Sequence, residues 1–254
     1  MSHSYYPVAL DLKDKRCLVV GGGTIATDKV EGLLHAGAQI LVVSPSVTPK
    51  IEDLAESGAI TLHLRPYQPS DLTGIYLAYG ATDDRETNAE VAAQARAAGI
   101  LVNAVDDIPN CDFFAVSIVR RGDLQIAIST NGLSPAFARW MREYLDAWLP
   151  KEFGDLLTVL SEVRREVKAQ GPIPPYEHWQ AAITDEVLMR LRHDDRAGAR
   201  DQILQAVTGA NDSAVTGYAL AGSHLEDHPA GTRDPVAGVV GAGSTSPARS
   251  WWEG

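Results

Sequence analysis

The run Arg16 to Ala38, RCLVVGGGTIATDKVEGLLHAGA, constrains this chain more than any other stretch. Cys17-Leu18-Val19-Val20 is apolar and has the length of a buried parallel strand. Gly21, Gly22 and Gly23 follow directly, and then Ala26, Val30, Leu33, Leu34 and Gly37 recur at helical spacing. Gly21, Gly23 and Ala26 spell G-x-G-x-x-A, the dinucleotide-binding turn with alanine as its last small residue. Gly21 permits the tight turn, Gly23 lets backbone approach a pyrophosphate, and Ala26 seats the helix on the strand. The phosphate charge meets the open N–H groups and the positive end of that helix. Three glycines alone also describe an ordinary turn without a ligand. The strand before, the amphipathic helix after and the second apolar run Gln39 to Val43 are the context that favours a cofactor site.

The remainder follows the same alternation and then departs from it. Val47 to Glu56 reads as a helix, Ile60 to Leu64 as a strand, Ile75 to Tyr79 as a strand, Arg85 to Ala98 as a helix closed by Gly99, and Ile100 to Asn103 as a strand. Strands and helices alternating in this way predict an α/β fold, a Rossmann-like parallel sheet wound on both faces. Phe113 to Arg120 and Leu124 to Ser129, joined by Arg121-Gly122-Asp123, predict a hairpin. Ser134 as N-cap and Pro135 at the first helical position then open a helix that stops at Pro150. Further helices are expected over Phe153 to Ala169, Glu177 to Arg192 and Arg196 to Val207. The expected division is 1–112 for the cofactor, 113–150 for a small α+β dimerisation domain of hairpin and helix, 151–208 helical, and 209–254 a disordered tail. That tail is rich in Gly, Ala, Ser and Asp and has little periodicity.

With 254 residues, 45% of them hydrophobic, the chain can bury a substantial core. It contains no apolar run near the ~20 residues that span a bilayer, so no membrane partner is expected. The first fifteen residues do not have the pattern of a signal peptide. Cys17 and Cys111 are the two cysteines, a usage that points to a reduced, cytoplasmic protein. Asp plus Glu number 33 against 22 Lys plus Arg, a net charge of −11, which disfavours nucleic acid. It leaves room for an anionic small substrate held by a local basic patch.

Candidate site residues lie at predicted strand ends. After the second strand come Val42-Val43-Ser44-Pro45-Ser46; Ser44 and Ser46 are placed to hydrogen-bond a ribose. With no arginine there for a 2′-phosphate, NAD is favoured over NADP. Thr82 and Asp83 follow the strand ending at Tyr79, although helix capping accounts for Asp83 better than ligand binding does. Asp106 and Asp107 follow the strand that ends at Asn103; being adjacent, they point apart, and one faces the cleft. A base beside a hydride acceptor suits dehydrogenation, while spacing alone favours a solvated acidic turn. Ser129 to Pro135 is a polar loop entering a helix, and with Arg120, Arg121, Arg139 and Arg142 it is suited to carboxylates; solvated arginines explain the same pattern equally well. The histidines show no metal-ligand spacing.

Taken together, VGGGTIATDK (20–29), ATDDRETN (81–88), VNAVDD with NCDFF (102–114), RRGDLQIAISTNGLSPAFAR (120–139) and MRE (141–143) resemble the precorrin-2 dehydrogenases, which also form the N-terminal module of siroheme synthase. The resemblance covers about Tyr6 to Val207. It implies NAD-dependent oxidation of precorrin-2 to sirohydrochlorin and, in some members, ferrous iron insertion to give siroheme. It also implies a homodimer and a tetrapyrrole held beside NAD. Carried over by position, it puts the family's aspartate on Asp106, its NAD contacts on Gly22, Gly23, Thr24, Ile25, Pro45 and Ser46, and its tetrapyrrole-proximal serine on Ser134; Asn103 lies within a matched motif. Asp28, the Ile108-Pro109 order, Asn131 and Leu133 depart from the family pattern and bear on the substrate loops. Two other readings keep the glycine turn: another NAD-dependent oxidoreductase on this fold, and a dimeric NAD-sensing regulatory module. A sensor has no need of Asp106 or of the 129–142 segment.

Overall fold

Alternation along the first strand decides the layers. In the computed structural model, which describes residues 5–209, β1 (Arg16–Val20) is central in a five-stranded sheet of order β3-β2-β1-β4-β5. Its neighbours are β2 (Gln39–Val43) and β4 (Leu77–Gly80), with β3 (Thr61–His63) and β5 (Leu101–Ala104) at the edges. Every pairing is parallel, for example Val19 with Val42 and with Tyr79. Successive side chains of a strand point to opposite faces. Cys17 and Val19 therefore join Val42, Leu77 and Tyr79 in one core, whereas Leu18 and Val20 join Leu41, Val43, Ala78 and Val102 in another. Helices α1 (Thr24–His35) and α2 (Pro49–Glu56) cover the first face with Ala26, Val30, Leu33 and Ile51. Helix α3 (Arg85–Ala97) covers the second with Val91, Ala92 and Ala95. The doubly wound sheet is the fold expected from the apolar pattern.

The described chain divides into two compact units. One takes in the chain up to Arg120 together with Gln125–Pro150; the other takes in Arg121–Leu124 and the chain from Lys151 onward. β6 (Ser117–Arg121) and β7 (Leu124–Ile128) form a two-stranded sheet whose connection turns at Gly122, φ +56°. Helix α4 (Pro135–Trp148) starts as its sequence demands: Ser134 Oγ accepts the Phe137 N–H at 3.2 Å, and Pro135 occupies the first turn. In the second unit, α5 (Phe153–Gln170), α6 (Tyr176–Ala181), α7 (Asp185–Arg192) and α8 (Arg196–Thr208) pack Leu156, Val159, Val163, Leu188, Ala199 and Ile203 into one core.

The single helix expected over Glu177 to Arg192 is two helices. Thr184 interrupts it: its Oγ1 accepts the Val187 N–H at 3.3 Å, and Asp185 and Glu186 fill the first turn of α7. A capping threonine followed by two acids is a new helix start, which outweighs the continuing apolar period. The expected disordered tail lies outside the described residues from 210 onward.

Candidate functional site

The loops leaving β1, β2, β4 and β5 meet at the carboxyl edge of the sheet around one cavity of about 1020 Å³. Strand hydrogen bonds continue past the strand ends and set these loops. Gly21 N–H donates to Val43 at 3.0 Å, Ala81 N–H to Val20 at 2.7 Å and Val105 N–H to Gly80 at 2.8 Å. The cavity is lined by Val20 to Ile25, Val43 to Thr48, Pro66, Tyr67, Ala81 to Arg85, Thr87, Asn88, Val105 and Asp106.

The three glycines differ in what surrounds them. Gly21 has φ +121°, and a Cβ there would lie 2.2 Å from the Ala81 carbonyl oxygen. A Cβ on Gly22 would lie 2.1 Å from the Ser46 carbonyl oxygen, because Gly22 O accepts the Thr48 N–H at 2.9 Å. A Cβ added at Gly23 would meet nothing within 4 Å, and Gly23 lines the cavity. Thus Gly21 and Gly22 are required by neighbouring backbone, and Gly23 leaves the space a pyrophosphate needs. The opening N–H groups of α1 have no intrahelical acceptor. With Gly23 open before them, the residues fit a dinucleotide phosphate.

The β2 and β3 loops are braced from within. Ser44, 5% exposed, donates its hydroxyl to the Ser46 carbonyl at 2.6 Å, so the expected ribose partner is engaged in holding its own loop. Thr48 Oγ1 lies 2.9 Å from Thr27 Oγ1, tying that loop to α1. After β3, Arg65 forms a two-pronged pair with the buried Asp71 carboxylate at 2.5 and 2.8 Å, and Gln68 N–H donates to it at 2.9 Å. The Arg65 guanidinium holds the Asp71 carboxyl below the usual carboxylate range. This brace presents Pro66 and Tyr67 to the cavity. The Tyr67 hydroxyl donates to Gln94 Oε1 at 2.7 Å, and burial, with Glu90 and Asp71 nearby, pushes its pKa up to about 12.

On the β4 side Asp84, not Asp83, caps α3: its carboxylate accepts the Glu86 and Thr87 N–H groups at 3.1 and 3.3 Å. Asp83 is exposed and lines the cavity. The capping expected of Asp83 thus passes to its neighbour, one residue nearer the helix. Thr82 is locked to buried Asn88, whose amide accepts the Thr82 N–H at 3.1 Å and donates to the Thr82 carbonyl at 2.8 Å. Among the described residues, Arg85 is the sole cation lining the cavity.

Asp106 lines the cavity from the β5 side with φ +61°, and its carboxylate has no hydrogen-bond or ion-pair partner among the described residues. Asp107 does not line this cavity and accepts from Asn110 Nδ2 at 2.8 Å, but both acids border a small recess of about 120 Å³ with Arg85, Asn88 and Val105. Asn103 is buried, with its amide donating to the Phe113 carbonyl at 2.8 Å; it holds the following segment and does not line the cavity. Ser129, Ser134, Arg120 and Arg139 also lie outside the lining. Ser129 Oγ accepts the Asn131 N–H at 3.2 Å, Ser134 caps α4, and Arg139 pairs with Glu143 at 2.9 Å. Tyr67 and Asn88 were not singled out by spacing. Tyr67 reaches the cavity through a loop with no motif, and Asn88 acts through an amide pairing six residues back. Among the described residues, His, Cys, Asp and Glu form no cluster of three able to hold a metal ion.

Residues 8–117 match the family described as "Putative NAD(P)-binding", and residues 121–147 match the central domain described as "Sirohaem biosynthesis protein central". The siroheme synthase of Pseudoalteromonas atlantica is 42% identical over 166 residues, 65% of this chain and 36% of that protein. The siroheme synthase of Chromobacterium violaceum is 36% identical over 217 residues, 84% of this chain and 46% of that protein. This chain thus spans between a third and a half of the length of these relatives. A solved structure titled SirC, precorrin-2 dehydrogenase, superposes with TM-score 0.57 at 27% identity, over 80% of this chain and 98% of that one. An NAD(P)-binding domain followed by a sirohaem central domain, with likeness across a whole precorrin-2 dehydrogenase, agrees with the motifs: the chain is similar to that precorrin-2 dehydrogenase and, over part of their length, to siroheme synthases.

Proposed function

We propose that this chain oxidises precorrin-2 to sirohydrochlorin with NAD. The observation that carries the reading is the unpaired Asp106 carboxylate on the wall of the cavity that the glycine turn opens. Bound there, NAD supplies a two-electron acceptor. Gly23 and the start of α1 bind its phosphates, with Thr24 and Ile25 beside them. Ser44, Pro45 and Ser46 shape the ribose wall, and Thr82 and Asp83 form the opposite one. Asp106 takes the ring proton that must leave as precorrin-2 loses two electrons; among the described residues no neighbour competes for its oxygens. Ser129, Ser134, Arg120 and Arg139, outside the cavity lining, serve the carboxylate-rich tetrapyrrole, and the buried Asn103 supports it by holding the segment at Phe113. Residues 1–112 are the cofactor domain, 113–150 the dimerisation element and 151–208 a helical domain. The protein works as a cytoplasmic homodimer. Phe137 and Trp140, half-exposed on α4 with ring centroids 5.7 Å apart, and Trp140 and Tyr144, 5.5 Å apart, supply an apolar row for a second copy.

Anaerobic turnover of precorrin-2 with NAD, followed by absorbance, tests the activity. NADH and sirohydrochlorin form together if the reading holds. Asp106→Ala then binds NAD as the wild type does and loses turnover by roughly 100-fold or more. NAD binding without any NADH formed would favour the sensor module. Ferrous iron added afterwards, as a second substrate, separates members that insert it faster than the spontaneous rate from those that do not.

A further inference from the structure

Asp106 has a left-handed backbone that L residues rarely adopt, and no side-chain contact of its own holds it there. The constraint comes from the segment that follows. Arg96, in the last turn of α3, reaches this segment with all three guanidinium nitrogens. Nε donates to Asp112 Oδ1 at 2.8 Å, and the two terminal nitrogens donate to Asn110 Oδ1 at 3.2 Å and the Pro109 carbonyl at 3.1 Å. Asp112 turns its second oxygen to the Val102 N–H at 3.1 Å, and its own N–H donates to the Val102 carbonyl at 2.8 Å. The far end of the segment is thereby fastened to the middle of β5. From that anchor, contacts run back towards Asp106. Asn110 Nδ2 holds Asp107 at 2.8 Å, and Cys111 Sγ lies 3.1 and 3.3 Å from the carbonyls of Ala104 and Asp107. Asp107 N–H donates to Ala104 at 3.2 Å, closing the turn around Asp106.

We infer that Arg96 is a positioning residue for Asp106: its guanidinium fork fixes the 107–112 turn so that the Asp106 carboxylate stays aimed into the cavity. The inference rests on the proposed role of Asp106. Arginine fits the task because three acceptors in different directions need a rigid, planar fork; a lysine ammonium satisfies fewer of them at once. Arg96 does not line the cavity, so its loss leaves the cofactor contacts in place.

The test compares Arg96→Met, Arg96→Lys and Asp112→Asn by single-turnover kinetics, alone and combined with Asp106→Asn, with NAD affinity measured by titration. Arg96→Met is expected to slow the chemical step about tenfold to 100-fold, as misplacement of a reacting group by an ångström does. Its NAD dissociation constant stays within about twofold and its KM for precorrin-2 changes little, because only aim is lost. Arg96→Lys recovers part of the rate, and Asp112→Asn loses less than Arg96→Met. In the Asp106→Asn background the Arg96 substitution adds nothing, since the group it aims is gone. Full rate in both Arg96→Met and Asp112→Asn, or the same loss with and without Asp106, would overturn the inference and leave the Asp106 reading intact. Asp106→Asn turning over like the wild type would instead sink the Asp106 reading, and this inference with it. Should Arg96→Met fail to fold, the lysine and asparagine variants carry the same comparison.

Discussion

Within one glycine triplet, neighbouring residues answer to different demands. Gly22 is excluded from carrying a side chain by the Ser46 carbonyl, and Gly23 only by whatever enters the cavity. Gly22→Ala must therefore shift the loop after β2 and is expected to lower stability by at least about 2 kcal/mol in a urea melt. Gly23→Ala has a backbone alanine tolerates, φ −78° and ψ −171°, so its stability should fall by no more than about 1 kcal/mol. Its NAD affinity should drop roughly tenfold or more, equivalent to about 1.4 kcal/mol of binding. Equal NAD affinity for Gly23→Ala and wild type would mean that the phosphates do not approach this backbone. The fingerprint spacing names Gly21 and Gly23, and only the resemblance assigns Gly22, as an NAD contact. Its constraint comes from a loop twenty-odd residues later, which local spacing does not encode.

Elements built from local rules agree most closely with their sequences. β1, α1 and β2 follow from period and small residues, and the start of α4 follows from Ser134-Pro135. Those that differ depend on partners far along the chain or on competing caps. The break before α7 is one; the loop that delivers Tyr67 is another. That loop hangs on the Arg65–Asp71 pair, which predicts its pH response. Asp71 has its carboxyl held down by Arg65 in the folded state. Its contribution is therefore complete above the unfolded carboxylate value of about 3.9 and is lost as pH falls through the lower folded value. Asp71→Asn should cost about 1–3 kcal/mol at pH 7. The gap between variant and wild type should narrow in melts near pH 3. A gap that is constant from pH 7 to 3 would show that the pair's charge does not matter to the loop. The Asp106 side of the site was legible only as residue types near strand ends: the turn that follows Asp106 is fastened by Arg96, ten residues earlier on a different element.

The whole sequence carries −11 in charge, yet among the described residues α4 alone exposes three large aromatic side chains, Phe137, Trp140 and Trp148. Phe137 is 50% and Trp140 44% exposed, more apolar area in one row than single scattered residues present. If this row joins two copies, Trp140→Glu should sediment as a monomer while retaining the far-ultraviolet spectrum of the wild type. An unchanged dimer would move the interface elsewhere. No helix among the described residues is long and apolar enough to cross a membrane.

Since β1 has parallel neighbours on both sides and helices over both faces, its amides have no route to solvent short of opening the entire first sheet. Leu18, Val19 and Val20 should exchange hydrogen for deuterium only through global unfolding of that unit. The glycine turn grows from the end of this same strand, so a ligand held there is coupled to the slowest-opening part of the fold. Saturation with NAD at a hundred times its dissociation constant should slow exchange across all three amides together, by the factor that about 2.7 kcal/mol represents. A cofactor at the edge of the sheet is thus felt at its centre, as a change in lifetime without a change in shape.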